Sequence, residues 1–172
     1  MSGFVVTCGD IFVAPSSVPF PFQAVTSKSG VAAMFEQQTS IFPLGAPVQD
    51  GDSVHLLRGA AWGPDGVPKD ETAARELVIS WGRRLWRDRS LVVDGRDHSG
   101  VFTLCSVAPD SVVVASDPSG LYPVYLWARP GSAAVSSHER VLARGVGAAA
   151  DLRGLVQTAA FGYAIGERTL HS

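Results

Sequence analysis

The side chains able to do chemistry are few and dispersed. The four histidines, His55, His98, His138 and His171, stand at no metal-ligand spacing with cysteine or carboxylate. They read as surface or turn residues, and no metal site is expected. Cys8 and Cys105 are the two cysteines, far apart in the chain. Such a pair makes no disulfide framework and fits a reducing compartment. Ser119, Ser136 and Ser137 belong to no nucleophile-elbow pattern. Gly145-Val146-Gly147 follows a predicted helix and runs into alanines, which is not a phosphate-cradling loop. Arg83, Arg84, Arg87 and Arg89 crowd the last turns of another predicted helix, where the dipole favours cations. A solvated helix end is the expectation there, and an anion site the sharper alternative.

The totals narrow the partners. A chain of 172 residues fits one domain with a substantial core. A formal net charge of −2 gives no reason to expect nucleic acid. No apolar run approaches the roughly 20 residues that span a bilayer, so no membrane partner is expected. The N-terminus MSGFVVTCGD lacks the basic region and long apolar run of a signal peptide. The expected location is the cytoplasm.

The elements that must position a site can be read in order. Residues 3–7 make a short buried-type strand, with 10–13 continuing it after a turn at Cys8-Gly9. Residues 14–52 are rich in proline and carry little charge, yet Phe20, Phe22, Phe35 and Phe42 recur. Irregular loops pinned by core aromatics are expected, with short edge strands at 31–35 and 39–42. An apolar surface for docking a partner is the alternative. Residues 53–62 read as a buried strand and 63–68 as a loop. Residues 70–89 form the best helix: Asp70 caps it, Glu71 favours its first turn, and Ala74, Leu77, Val78, Trp81, Leu85 and Trp86 share one face. Gly82 in its middle costs about 1 kcal/mol relative to alanine, which predicts a close neighbour.

Residues 99–142 then read as a four-strand antiparallel meander. Strands fall at 101–107, 112–115, 122–127 and 133–136, separated by turns at 108–110 and 129–132 and by the loop Asp117-Pro118-Ser119-Gly120. A helix over 137–144, a small-residue loop over 145–150 and a last helix over 152–161, capped by Asp151, complete the chain. This order predicts an α+β fold, a four-layer αββα sandwich of two antiparallel sheets.

The meander carries a resemblance. Asp117-x-x-Gly120-x-x-Pro123-x-Tyr125, preceded by Ala115, resembles the "ARDxxGxxPLYY" signature of the N-terminal domain of the glutamine-dependent asparagine synthetase family. Ser99-Gly100-Val101-Phe102 is similar to that family's "DGxFAF", and Ser136-Ser137-x-x-Arg140-Val141-Leu142 to its "ASEIKALL". Asp70 and Trp81-Gly82 match the "SDxExxLxxxxxWG" helix, and residues 161–170, FGYAIGERTL, look like "FGYxPGxRTLF". The resemblance covers residues 53–172 and is weak over 14–52.

The resemblance implies an N-terminal-nucleophile (Ntn) hydrolase fold over residues 1–165, with 166–172 beginning the linker to a second domain. In that family a cysteine exposed by removal of Met1 attacks glutamine, with its own amine as base. Ser2 stands at that position here; Cys8-Gly9 is interior and would need processing. The family's "HRGPD" arginine loop has no counterpart in residues 20–52. Its "NGEIYN" oxyanion strand end becomes Arg58-Gly59-Ala60-Ala61-Trp62-Gly63, which replaces the asparagine but keeps Gly59. Asp70 matches the acid that would hold the substrate amine.

The expectation is therefore a degenerate glutaminase-like domain of an ATP-dependent amide ligase. It lies nearest the cysteine-lacking members, the β-lactam synthetases and lasso-peptide macrolactam synthetases, which act on a peptide or amino-acid-derived substrate. No cofactor is expected on this chain. The ATP-pyrophosphatase motif "SGGxDS" is absent from it, so ATP and Mg are expected for a synthetase domain outside it, in cis or as a separate subunit. The alternatives are a Ser2 amidohydrolase and a stand-alone binding module.

Overall fold

The computed structural model describes residues 3–9, 22–27, 30–35, 44, 46–89, 99–108, 111–119 and 121–161. Nine strands and three helices follow in the order β1 (Gly3–Gly9), β2 (Phe22–Ser27), β3 (Gly30–Phe35), β4 (Val48–Asp50), β5 (Ser53–Trp62), α1 (Glu71–Asp88), β6 (Ser99–Ala108), β7 (Ser111–Ser116), β8 (Tyr125–Arg129), β9 (Ser132–Ser136), α2 (Glu139–Val146) and α3 (Leu152–Phe161) among the described residues. Every pairing among the described residues is antiparallel. One sheet has the order β2-β3-β1-β9-β8, the other β4-β5-β6-β7.

The alternation of side chains explains why the sheets stack. Phe4, Val6 and Cys8 of β1 and Val135 of β9 pack against Val54 and Leu56 of β5 and Cys105 and Val107 of β6, forming one core between the sheets. The opposite face of the four-stranded sheet carries Leu57, Ala61, Phe102 and Leu104 against Ala74, Val78, Trp81 and Leu85 of α1. Fully burying a side chain such as Val78 or Leu85 contributes about 1.5–3 kcal/mol. The Trp81 and Phe102 rings meet with centroids 5.1 Å apart. On the far side of the five-stranded sheet Val5, Thr7, Ala134 and Ser136 are also buried, and α2 packs along β9 and β8. The fold is thus mixed α+β, two facing antiparallel sheets with α1 outside one and α2 against the other.

Helix α1 begins where its cap says it should. The Asp70 carboxylate accepts from the Ala73 N–H at 2.9 Å, and Arg89 ends the helix in the left-handed region at φ 52°. Gly82 lies directly against the His55 imidazole, where a β-carbon would overlap the ring. The predicted close neighbour is this histidine.

Other expectations need correction. The meander is two hairpins in different sheets: β6 and β7 belong to the four-stranded sheet, and β8 and β9 to the five-stranded one. The segment after β7 is a crossover, because one continuous four-strand ladder would leave the five-stranded sheet without its last two strands. Pro123 precedes β8, which starts at Tyr125 and lies at a sheet edge. Strand β1 runs through Cys8-Gly9 without a turn, since Gly9 takes φ +77° within the ladder. Part of the proline-rich stretch is a hairpin, β2 with β3, and β3 lies inside its sheet. Strand β4 is an addition, and α2 extends to Val146. The expectations at 10–13, 39–42, Gly120 and 166–172 fall outside the described residues.

The Gly82 contact makes a prediction. Gly82→Ala should destabilise the chain by about 1–3 kcal/mol through overpacking, measured by urea unfolding. The penalty should shrink in a His55→Ala background, because the ring it meets is gone.

Candidate functional site

Ser2 lies outside the described residues. What is described is the start of β1 beside it, tied to the turn between β9 and α2. The Phe4 N–H donates to Ser137 Oγ at 2.9 Å, and the Phe4 carbonyl accepts from Ser136 Oγ at 2.9 Å and from the Ser137 N–H at 3.1 Å. Ser137 Oγ also lies 2.9 Å from His138 Nδ1. Both serines are buried. The small polar residues of the "ASEIKALL"-like segment thus act as a staple on the first strand.

Gly59 sits on β5 opposite Phe102 of β6 with φ +103°. A β-carbon there would overlap the Val101 carbonyl and come within 2.7 Å of the Tyr122 ring. Glycine is required here by both conformation and space. The neighbouring Arg58 is half-buried, its guanidinium 4.5 Å from the Tyr122 ring centroid. Burial pulls its pKa below the ordinary arginine value. Where the resemblance places an amide donor, the chain therefore holds a cation stacked on an aromatic ring.

Tyr122 is delivered by the crossover, and Asp117 holds the crossover. Its carboxylate is 3% exposed and accepts from the Phe102 N–H at 3.1 Å and the Ser119 N–H at 2.9 Å. The Ser119 hydroxyl donates to it as well. The Asp117 N–H returns a bond to the Phe102 carbonyl at 3.0 Å.

Asp70 is exposed and lines a cleft of about 460 Å³ between the loop after β5 and the first turns of α1. Pro64, Val67 and Leu77 give it apolar walls, and Asp65, Lys69 and Glu76 charge its rim. Gly59 is not part of that lining. Of the three site residues expected from the sequence, one is outside the described residues and two lie in different surroundings.

The sequence reading missed a polar cluster under α1. His55 was expected at the surface, yet it is 1% exposed. Its Nδ1 lies 2.8 Å from Ser106 Oγ and its Nε2 lies 3.5 Å from an Asp50 carboxylate oxygen. Asp50 in turn takes two bonds of 2.7 Å from Arg83. The residue types are those of a hydrolytic triad, but the hydroxyl is fully buried under α1 and a substrate carbonyl cannot reach it. The cluster joins β4, β5, β6 and α1. Odd-numbered positions of β5 face α1, so the placement of His55 beside Leu57, together with an unexplained glycine in the helix, was the available signal.

The arginine cluster is matched locally. Arg83 pairs with Asp50, Arg87 with Asp88 at 2.8 Å, and Arg84 approaches Asp88 at 3.7 Å. Arg89 lies 4.8 Å from the Trp86 ring. Both cysteines are free and buried, and burial pushes the Cys105 thiol far above its ordinary value. Cys8 lies inside β1. Among the described residues no group of three His, Cys, Asp or Glu side chains could hold a metal. No helix there is long and apolar enough to cross a membrane.

Two outcomes follow from this geometry. Asp70→Ala should cost about 1 kcal/mol in urea unfolding, and Asp70→Ser should recover most of it, because a serine also caps. Burial holds the His55 pKa below its ordinary value of 6.5, against the opposing pull of Asp50. The unfolded chain therefore takes up this proton first as the pH falls. His55's contribution is complete above about 6.5 and is lost as the pH drops toward the depressed folded value. The slope is at most about 1.4 kcal/mol per pH unit. Urea unfolding from pH 7.5 to pH 5 should show this decline, and His55→Gln should flatten it.

No family model matches the chain and no curated protein matches it.

Proposed function

We propose that this chain is a degenerate glutaminase-like domain of an asparagine-synthetase-like, ATP-dependent amide or lactam ligase, of the macrolactam or β-lactam synthetase type. Its role is structural: it supports a synthetase domain, in cis or as a separate subunit, that binds ATP and Mg and acts on a peptide or amino-acid-derived substrate. The observation that carries the reading is the crossover. The signature Asp117-x-x-Gly120-x-x-Pro123-x-Tyr125 falls on the segment joining the two facing sheets, and Asp117 is buried there with its backbone partners. That placement gives the signature a fold-holding job, as expected of an Ntn-hydrolase-like αββα sandwich whose scaffold outlasts its chemistry.

The site residues support the degenerate form. A transition-state oxyanion needs a donor aimed at it, and losing one costs about 2.7–4 kcal/mol. At that position the Arg58 head lies on Tyr122. Asp70 keeps one carboxylate oxygen on its own helix.

The test is direct. The purified chain incubated with glutamine should release no glutamate above the buffer control, even at high protein concentration. Release that Ser2→Ala abolishes would establish the Ser2 amidohydrolase instead. Co-expression with a neighbouring synthetase reading frame should yield a stable complex on gel filtration. A monodisperse monomer that ignores the synthetase would sink the supporting role.

A further inference from the structure

A single carboxylate oxygen faces nitrogens from two layers of the fold. Asp50 Oδ2 takes the Arg83 Nε–H from α1 at 2.7 Å and stands 3.5 Å from His55 Nε2 on β5. The other oxygen, Oδ1, takes a second bond of 2.7 Å from Arg83. At these distances Arg83 holds the carboxylate and the imidazole is only its neighbour. Ser106 is fully buried, and its hydroxyl has His55 Nδ1 as its side-chain partner among the described residues. A buried hydroxyl needs an acceptor, so it donates to Nδ1. That assigns the proton of the neutral ring to Nε2, toward Asp50.

A second proton can enter only at Nδ1. It takes away the acceptor that Ser106 uses and places a positive charge against the helix at Gly82, where there is no room for water. The charged groups facing the ring are Asp50 from β4 and Arg83 from α1, and β6 presents the neutral Ser106. One carboxylate must then serve two cations, and the two differ in freedom. Arg83 is 69% exposed and lines a cleft of about 610 Å³ along α1, so it can exchange its bonds for water at little cost. The buried imidazolium cannot, and it needs the anion.

We propose that His55 is an acid-sensitive latch: a proton on its ring draws Asp50 from Arg83 on the helix to the imidazole on the sheet and loosens the C-terminal half of α1. The fold permits a local release. α1 packs on strands of the four-stranded sheet, and its core is separate from the core between the sheets. The Arg83–Asp50 pair ties the helix to β4. Burial holds the His55 pKa below its ordinary 6.5, and the Arg83 bonds hold Asp50 below its ordinary 3.8. The release therefore sets in below pH 6.5, and at pH 4.5 Asp50 is still ionised.

Amide hydrogen exchange of the full chain at pH 7.5 and pH 4.5, corrected for the intrinsic pH dependence of exchange, tests this. Any loss of global stability raises exchange in every layer alike, so the reading is the excess in α1. Exchange across residues 78–88 should rise about fivefold more than exchange in β1 and β6, the effect of losing one ion pair. Arg83→Gln changes an exposed side chain and should show that excess already at pH 7.5, with no further excess at pH 4.5. His55→Gln, which takes up no proton, should abolish it. An equal rise in α1 and the strands, or no rise at all, overturns the proposal. So does an acid-induced excess that persists in Arg83→Gln.

Discussion

A sandwich of two antiparallel sheets needs its chain to leave one sheet and enter the other without exposing buried backbone to nothing, and here that transfer rests on the carboxylate of Asp117. It sits at the end of β7, where ladder pairing stops and the backbone groups would otherwise lose partners. One oxygen takes the Phe102 N–H from β6 and the other takes Ser119 within the turn. Charge-assisted bonds of this kind contribute about 1.5–3 kcal/mol each, and a buried donor left unmade costs about 1–3 kcal/mol. An asparagine would keep one acceptor and lose the second. The placement of Tyr122, and through it the packing over Gly59 and Arg58, depends on this turn.

The same economy of space recurs on the other face of the smaller sheet. Gly82 lets α1 come down on His55, and His55 fills the room between helix and sheet with a ring that must also satisfy two nitrogens. Ser106 and Asp50 do so from the strands on either side. A leucine at position 55 would supply comparable bulk without needing partners, but it would leave Ser106 buried without its imidazole and Asp50 held by Arg83 alone. The polar cluster therefore sets how α1 registers on the sheet, beyond what the apolar contacts of Val78, Trp81 and Leu85 determine.

Local signals were legible where residue chemistry was decisive. Asp70 with the apolar stripe behind it specified α1 to within a residue at each end, and the apolar residues Val54, Leu56 and Leu57 specified β5. Two kinds of information were not local. Which sheet a hairpin joins depends on partners distant in sequence, so β8–β9 looked continuous with β6–β7 although β9 pairs with β1. Burial of a polar residue depends on what arrives from elsewhere, and nothing around His55 announces Ser106 or Arg83. β2 was hidden by Pro19 and Pro21 just before it, which bound a strand as readily as they break one. The surroundings of Gly59 were not legible, since Tyr122, which packs over it, comes from the crossover.

Asp117 and Arg58 contrast in what the fold requires of a buried charge. Both lie near the crossover, and both are charged groups withdrawn from water. Asp117 recovers its desolvation cost through three donors, one on β6 and two in the turn it stabilises, so replacing it unmakes the joint between the sheets. Arg58 sits half-buried over Tyr122, where a cation over an aromatic face is worth roughly 0.5–2 kcal/mol. That contact stabilises the fold without requiring any group to be aimed at a substrate. The sandwich depends on the first arrangement at its crossover, whereas the second adds to the packing beside it.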